Sequence, residues 1–487
     1  MNFKMIGRFI SYVILIEAGF MLFPFVLAIA DGDDTAIFGF GITILGAVLL
    51  GLLVLLLCKK APIHFYESEG FVCVGISWIV LSLIGCVPFI LSKDIPNFFD
   101  AFFEMVSGFT TTGASVIPNV ELCTRATLLW RSLSNWVGGM GILVFMLAIL
   151  PAGRSNRGFT MHLMRAESPG PSVGKLVPRM RQTALILYTI YLVITILNVI
   201  ALLFTGLSFF ESICGAMSTA GTGGFGVKAD SFAGFPASTQ IVTTVFMLVY
   251  GVNFSVYYLL LIGKISSVLR DAELRLYIST YLIATALITI NLFRSSLFAT
   301  FGETLRHAAF QVSSIMSTTG FATTDFDTWP ALSKGILLIL MVFGACAGST
   351  AGGMKMARIL IYVKSMARNI RHSLHPSKVS AVRINGSPIS DTVITTSNAY
   401  LVAYVAMIIL SFLLVSIDGL SVETNISAVL ATSNNIGPGL AAVGPNANYA
   451  AYSSFSKVIF CIDMLAGRLE IFPILVLFSR TTWSRKA

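Results

Sequence analysis

Long runs of apolar residues divide this chain, and within each run the apolar character is continuous rather than alternating. Continuous runs of about 20 residues predict membrane-spanning helices, whereas strict alternation would predict the strands of a barrel. The pattern predicts ten crossings, an even number that places both termini on the same side. The predicted crossings are residues 9–30, 36–57, 70–92, 127–150, 183–205, 239–263, 276–293, 335–363, 393–417 and 456–479.

The composition excludes a set of soluble domains. Apolar residues make up 56% of the 487 residues and charged residues only 11%, whereas soluble domains carry about 25% charged residues. The seven cysteines are scattered without a C-x-x-C pair, which argues against a disulfide framework or a zinc site. The first apolar run follows Lys4 and Arg8 and resembles a signal peptide, but it is too long for one. We therefore expect a multi-pass membrane protein that keeps its first helix.

The distribution of charge predicts the orientation. Most of the 32 Lys and Arg residues fall on the side of the termini, and the facing loops are acidic. Because positive loops stay in the cytoplasm, both termini are expected to be cytoplasmic. Juxtamembrane cations account for the net charge of +9 without a nucleic-acid partner. The main basic clusters are residues 59–60, 154–181, 264–275, 358–383 and 480–486.

A unit of the chain repeats four times. In each copy, an outgoing span is followed by a semi-apolar stretch of about three turns, a segment rich in Gly and Thr, and a returning span. Three turns are too short to cross a bilayer, so each stretch is predicted to be a half-helix that dips into the membrane. Three copies begin with an N-cap residue and an acid three positions later, and in the fourth Ser421 is the cap. The half-helices are predicted to begin at Asn97, Ser208, Thr300 and Ser421.

The segments that end the half-helices predict an ion pathway. Irregular backbone at membrane depth is tolerated only where it lines a cavity or is buried in protein. Four such segments around one axis would present rings of carbonyl oxygens, and the C-terminal ends of the half-helices would point at the same axis. That arrangement attracts and dehydrates a monovalent cation. The segments are residues 110–113, 221–224, 317–320 and 434–437, and half-helices one and three share the pattern Phe-x-x-x-Ser before them.

These features resemble the TrkH family, the membrane subunits of bacterial Trk potassium uptake systems within the Trk, Ktr and HKT superfamily. The resemblance rests on the fourfold unit, the Thr-Thr-Gly loops, the loop from Asn434 to Gly439 and the run from Gly467 to Glu470. It implies an all-α inner-membrane potassium translocator with two extra helices before the four repeats. It also implies a homodimer with one pore per subunit and a cytoplasmic TrkA-like nucleotide-binding subunit, since no nucleotide site is expected on this chain. The implied divisions are residues 1–62 for the leading helices and 63–153, 154–265, 266–372 and 373–487 for the repeats.

In that family one glycine in each loop marks the selectivity filter, and the resemblance assigns this role to Gly113, Gly320 and Gly437. Loop two contains both Gly223 and Gly224, so its register is ambiguous by one residue; we favour Gly223. No loop contains the T-V-G-Y-G run of potassium channels, which predicts modest discrimination against sodium. The predicted filter residues are Thr111, Thr112, Gly113, Gly221, Thr222, Gly223, Thr318, Thr319, Gly320, Asn435, Ile436 and Gly437.

Four glycines interrupt the eighth crossing and predict an irregular loop below the filter. A continuous helix that packs closely through Gly344 and Gly348 is the alternative reading. A phosphate-binding loop is excluded because Met354 stands where that motif requires lysine. In the TrkH family an intramembrane loop at this position acts as the gate. The predicted gate residues are Gly344, Gly348, Ser349, Thr350, Gly352, Gly353, Lys355 and Arg468.

Two charges lie within the last crossing. A charge at the membrane centre costs about 2.5–3.5 kcal/mol on insertion scales, so each charge needs a partner or water. Arg468 and Glu470 are two residues apart and do not face each other on a helix. We expect Arg468 to project into the pore or to meet the gate loop, and Glu470 to pair with a neighbouring helix. Glu17 and Asp463 are expected to be structural.

Three functions compete. The first is a channel-like potassium permease, and the second is a cation symporter coupled to sodium or protons, for which the chain offers few intramembrane carboxylates. The third is an intramembrane enzyme, which is disfavoured because all five histidines fall outside the predicted spans. The cytoplasmic segments 154–182 and 364–392 are the candidate surfaces for a protein partner.

Overall fold

The protein is described here by a computed structural model that covers residues 2–59, 67–141, 180–377, 381–479 and 482. Helices dominate this part of the chain, as the sequence predicts. The end of the fourth predicted crossing and most of the candidate partner surface 154–182 lie outside the described residues. The outgoing spans and the two leading helices are Phe3–Asp31, Asp34–Leu57, Glu67–Gly85 with Val87–Leu91, Met180–Phe204, Ala272–Arg294 and Asp391–Val415.

Six helices are long and apolar enough to cross a membrane among the described residues. The two leading helices, Phe3–Asp31 and Asp34–Leu57, pack against each other as a hairpin. Gly32 turns the chain with a φ of 70°, and Asp33 caps the second helix by accepting from the N–H of Ala36 at 3.1 Å. Leucines on the outer face of the second helix are exposed, as expected for a surface that meets lipid.

The four half-helices are present, and each is capped by the residue at which the sequence predicts its start. They contain 12, 13, 16 and 12 residues, so at 1.5 Å per residue each is about 18–24 Å long and shorter than the roughly 30 Å hydrocarbon core. Ser208 and Glu211 form a complete capping box, and Ser421 caps the fourth half-helix through the N–H of Thr424. The half-helices are Phe98–Phe109, Phe209–Gly221, Phe301–Met316 and Val422–Ser433.

The prediction of continuous crossings is wrong for the second and fourth returning spans, because both are interrupted. The third is interrupted where its glycines predict a break. Hydropathy averages over a break and therefore does not detect it, whereas small residues near each break permit it. The second returning span bends by 90° between Tyr250 and Phe254, and the fourth breaks at Glu470 and Ile471, whose φ angles are 60° and 67°. The returning helices are Arg125–Met140, Ala237–Tyr250 with Phe254–Leu261, Ala331–Val342, and Ser454–Arg468 with Phe472–Phe478.

The region between Val342 and Met356 is not helical, so the alternative of a close-packed continuous helix through Gly344 and Gly348 is also wrong. We call residues 343–355 the glycine-rich loop. The helix Met356–Leu374 follows it. The short helix Ile265–Leu269 leads from the second returning span to the third outgoing span.

A small antiparallel hairpin was not expected from the sequence. Strands Arg383–Ile384 and Ser387–Pro388 pair with each other, and Asn385 and Gly386 form the turn with φ angles of 51° and 81°. Val382 packs beneath the hairpin with Ile361 and Ile394. The hairpin therefore joins the helix after the glycine-rich loop to the fourth outgoing span.

Candidate ion pathway

Each half-helix ends in a short segment of the same backbone geometry, which we call its tip. Tips one to four are residues 110–113, 221–224, 317–320 and 434–437. In tip one, Thr111 is left-handed and the N–H of Thr112 donates to the carbonyl oxygen of Ser107 at 2.9 Å. This bond is typical of the Schellman arrangement that closes helix C-termini. The other tips have the equivalent bond from a backbone N–H to the carbonyl oxygen five residues earlier. These bonds are Gly223 to Ser218 at 2.9 Å, Thr319 to Ser314 at 2.8 Å and Ile436 to Ala431 at 2.8 Å.

The backbone corrects the register of tip two. Left-handed residues lie two positions apart in every tip, and in tip two they are Thr222 and Gly224. The prediction that Gly223 is the counterpart of Gly113 is therefore wrong, because Gly224 occupies that position. Gly221 is the last residue of its half-helix. Two adjacent glycines are equally permissive, so the residue types alone do not distinguish them.

The four tip glycines form a ring in which each faces a carbonyl oxygen of the next tip. A Cβ atom built on any of them would lie between 1.9 and 2.7 Å from that oxygen, far inside van der Waals contact. Their φ angles run from 69° to 97°, which glycine alone adopts without strain. Glycine at these positions therefore allows the tips to meet. The facing pairs are Gly113 with Gly223, Gly224 with Thr319, Gly320 with Ile436, and Gly437 with Thr112.

A cavity of about 100 Å³ opens beside this ring, and all four tip glycines line it. We call it the vestibule. Each half-helix presents its C-terminal end, with a partial charge of about −0.5, at its tip. Carbonyl oxygens at close quarters can replace the water around a cation, and the half-helix ends favour its charge. These are features expected of a site that binds a dehydrated monovalent cation.

A buried ion pair braces the segments that follow tips one and two. Arg131 Nε donates to Glu104 Oε1 at 2.8 Å, and both side chains are buried. Glu104 also accepts from the N–H of Val116 at 2.9 Å, while the Arg131 guanidinium lies 4.1 Å from the ring centre of Phe225. Sequence reasoning missed this pair. The acid lies in the repeated Phe-x-x-x-Ser pattern, but its partner is 27 residues away with no local signal.

The glycine-rich loop is closed at its base by backbone bonds. The N–H of Gly344 donates to the carbonyl oxygen of Met354 at 2.8 Å, and the N–H of Met356 donates to the carbonyl oxygen of Ala345 at 3.0 Å. Gly348 and Gly353 have φ angles of 73° and 67°, so glycine is required there for the turns of the loop. The predicted gate residues of the eighth crossing thus belong to one compact loop.

The loop lies directly against tips three and four. The N–H of Gly352 donates to the side-chain oxygen of Thr318 at 2.9 Å. A Cβ atom on Gly352 would lie 2.5 Å from Asn435 Oδ1, and one on Gly353 would lie 3.0 Å from Asn434 Oδ1. Side chains at these two positions would therefore push the loop away from the tips.

Arg468 meets the glycine-rich loop, as predicted. Its guanidinium donates to the carbonyl oxygen of Thr350 at 2.5 Å and to that of Gly138 in the first returning span at 2.6 Å. Glu470 pairs with Arg358 on the helix after the loop, which confirms that its partner is on a neighbouring helix. The two charges of the last crossing thus hold the loop and the helix that follows it.

Comparison with known proteins agrees with this architecture. The TrkH family model, described as a cation transport protein, matches residues 37–486. The chain belongs to the TrkH family. The Trk system potassium uptake protein TrkH of Salmonella typhimurium is 34% identical over 490 residues, covering 99% of this chain and all of that protein. The corresponding protein of Halomonas elongata is 34% identical over 495 residues and the full length of both chains.

A solved structure of the family has the same fold. The crystal structure of the potassium transporter TrkH from Vibrio parahaemolyticus matches with a TM-score of 0.88 and 30% sequence identity. The match covers 99% of this chain and 100% of that one. With its apolar spans, this family member is a multi-pass membrane transport protein and not an enzyme.

Proposed function

We propose that this chain carries potassium ions into the cell as the membrane subunit of a Trk-type uptake system. The observation that carries the proposal is the ring of four glycine tips, each facing a carbonyl oxygen of its neighbour. The relatives named as potassium uptake proteins support potassium as the transported ion and bound ligand. The path is channel-like, because main-chain oxygens can replace the water of a passing cation without a chemical step.

The selectivity filter consists of the four tips in the corrected register. In tip two it comprises Thr222, Gly223 and Gly224, with Gly224 as the marker glycine. Each tip has one glycine at the point of closest approach, so fewer carbonyl rings form than in a T-V-G-Y-G filter. The other filter residues are Thr111, Thr112, Gly113, Thr318, Thr319, Gly320, Asn435, Ile436 and Gly437.

The glycine-rich loop is the gate. It lies against tips three and four, and Arg468 ties it to the first returning span. Lys355 also donates to carbonyl oxygens within the loop, which holds its closed shape. A cytoplasmic TrkA-like nucleotide-binding subunit regulates it. The pore subunit forms a homodimer in the bacterial inner membrane, with both termini in the cytoplasm and the domain divisions given above.

A symporter coupled to sodium or protons is less well supported by the carboxylates. Such coupling needs an acid that faces the transported ion. Glu470 is paired with Arg358, and Asp463 accepts from Ser411 at 2.6 Å on the adjoining outgoing span. Glu17 is buried in the first leading helix, beside Gly85 rather than a tip. These positions favour passive permeation.

The test is cation flux through the purified protein in liposomes. With a potassium gradient and no sodium, we expect a current that reverses at the potassium equilibrium potential and does not depend on a proton gradient. Adding the nucleotide-binding partner should change the size of the current but not its reversal potential. A reversal potential that follows the sodium or proton gradient would favour the symporter instead.

A further inference from the structure

One carboxylate holds both ends of the glycine-rich loop. Glu273 lies in the first turn of the helix Ala272–Arg294 and is 8% exposed. Its Oε1 accepts from the N–H of Ala347 at 2.6 Å and from the N–H of Ala357 at 3.0 Å. Ala347 is within the loop and Ala357 follows it, so one oxygen atom clips the loop shut across its base.

The helix start that carries Glu273 is itself held by the cytoplasmic hairpin. Asn385, at the turn of the hairpin, accepts from the N–H of Ala272 at 2.8 Å through Oδ1. Its Nδ2 donates to Asp271 Oδ2 at 2.7 Å, and Asp271 in turn caps the helix through the N–H of Leu274. The first N–H groups of a helix have no partner within it, so this side chain fixes the first turn.

The hairpin is also attached to the helix that follows the loop. Lys364, on the helix Met356–Leu374, donates to the carbonyl oxygen of Arg383 at 2.8 Å. The turn residues Asn385 and Gly386 and the strand residue Ser387 are exposed. The hairpin therefore contacts both the helix that carries Glu273 and the helix that follows the loop.

We propose that this hairpin controls the glycine-rich loop through Asp271 and Glu273. Loss of the contact between Asn385 and Asp271 loosens the first turn of the helix and releases the clip that Glu273 makes. The consequence for ion flow rests on the proposed function, in which the loop is the gate. The movement of the loop itself does not, so the two can be tested separately.

Cys346 reports directly on the clip, because it lies in the loop next to Ala347 and is 1% exposed. The experiment uses the full chain in nanodiscs with every other cysteine replaced, and measures the rate at which a maleimide labels Cys346. Asn385→Ala, Asp271→Ala and Glu273→Ala are each expected to raise the rate at least about fivefold, the effect of losing one hydrogen bond. Glu273→Gln keeps an acceptor oxygen and should restore slow labelling. Ser387→Ala, at an exposed position of the same hairpin, is the matched control and should label at the starting rate.

The double variant Asn385→Ala with Glu273→Ala decides whether the hairpin acts through the clip. We expect it to label no faster than Glu273→Ala alone, since residues in one network are not additive. Independent, multiplied effects would overturn the connection, and so would slow labelling of Asn385→Ala and Asp271→Ala beside fast labelling of Glu273→Ala. Slow labelling of a folded Glu273→Ala would overturn the clip itself. If Glu273→Ala does not fold, the labelling rates of Asn385→Ala and Asp271→Ala test the proposal: fast labelling supports it and slow labelling overturns it. Liposome flux of the same variants tests separately whether the loop is a gate.

Discussion

The backbone N–H of Gly352 donates to the hydroxyl of Thr318 at 2.9 Å, which joins the glycine-rich loop to tip three of the proposed filter. Thr318 is one of the four left-handed residues of the tips that are not glycine. Loop and filter are therefore not independent parts. A substitution in the filter is therefore expected to change the stability of the closed loop.

Thr318→Val removes the hydroxyl while nearly keeping the shape of the side chain. The N–H of Gly352 would then be buried without a partner, which costs about 1–3 kcal/mol and weakens the closed loop. We expect basal potassium flux in liposomes without the partner subunit to rise by roughly tenfold. Thr318→Ser keeps the hydroxyl and should behave like the starting protein. Equal flux in the two variants would contradict the link.

Gly113→Ser should weaken the preference for potassium over sodium. A side chain at Gly113 would collide with the carbonyl oxygen of Gly223 and displace one part of the ring. We expect the permeability ratio to fall about tenfold, the change that ~1.4 kcal/mol produces. The measurement is the reversal potential under mixed potassium and sodium. Gly335→Ser is the control, because a Cβ atom there meets nothing within 4 Å; an unaltered ratio in Gly113→Ser would count against the filter assignment.

The corrected register of tip two makes its own prediction. A Cβ atom on Gly224 would meet the backbone oxygen of Thr319 at 2.0 Å, whereas one on Gly223 would meet the side chain of Asn135 at 2.3 Å. A side chain can move aside, but the backbone of another tip cannot. Gly224→Ala should therefore lower potassium selectivity, or protein yield, more than Gly223→Ala. Selectivity is measured by reversal potential and yield by gel filtration. A larger effect of Gly223→Ala would instead favour Gly223 as the counterpart of Gly113.

Glu104→Gln should destabilise the protein strongly. Removing one partner of a buried ion pair costs about 3–5 kcal/mol, since Arg131 would be left as an uncompensated charge. Asp31→Asn breaks the exposed pair of Asp31 with Arg125 and should cost only about 0–1 kcal/mol. Thermal unfolding in one detergent compares the two variants. Similar losses in both would mean that Glu104 does not brace the tips.

Arg468→Ala should change conductance or potassium affinity and leave the protein folded. The change removes a positive charge from beneath the tips and three donated hydrogen bonds, to Thr350, Gly138 and Gly139. Arg468→Lys keeps the charge but lacks the planar guanidinium group that donates several hydrogen bonds. Its conductance should therefore lie between those of the starting protein and Arg468→Ala. Single-channel recording and the amount of protein in the membrane are measured together. Loss of the protein from the membrane in both variants would assign Arg468 a purely structural role.

Much of the fold follows from local sequence. The half-helices begin where Asn97, Ser208, Thr300 and Ser421 can cap them, because capping depends on residues within one turn of each other. Their shortness compared with the membrane also follows from counting residues. The glycine-rich interruption of the eighth crossing is equally local, since four glycines in ten residues weaken any helix.

The tertiary structure decided what depends on residues far apart in the chain. The register of tip two required the neighbouring tips, because Gly223 and Gly224 are chemically identical and only the carbonyl of Thr319 distinguishes their places. The pairing of Glu104 with Arg131 joins different elements, as does the attachment of Glu273 to the glycine-rich loop. Local propensity and hydropathy describe each segment alone. The approach of backbones and buried charges exists only once the segments are packed together.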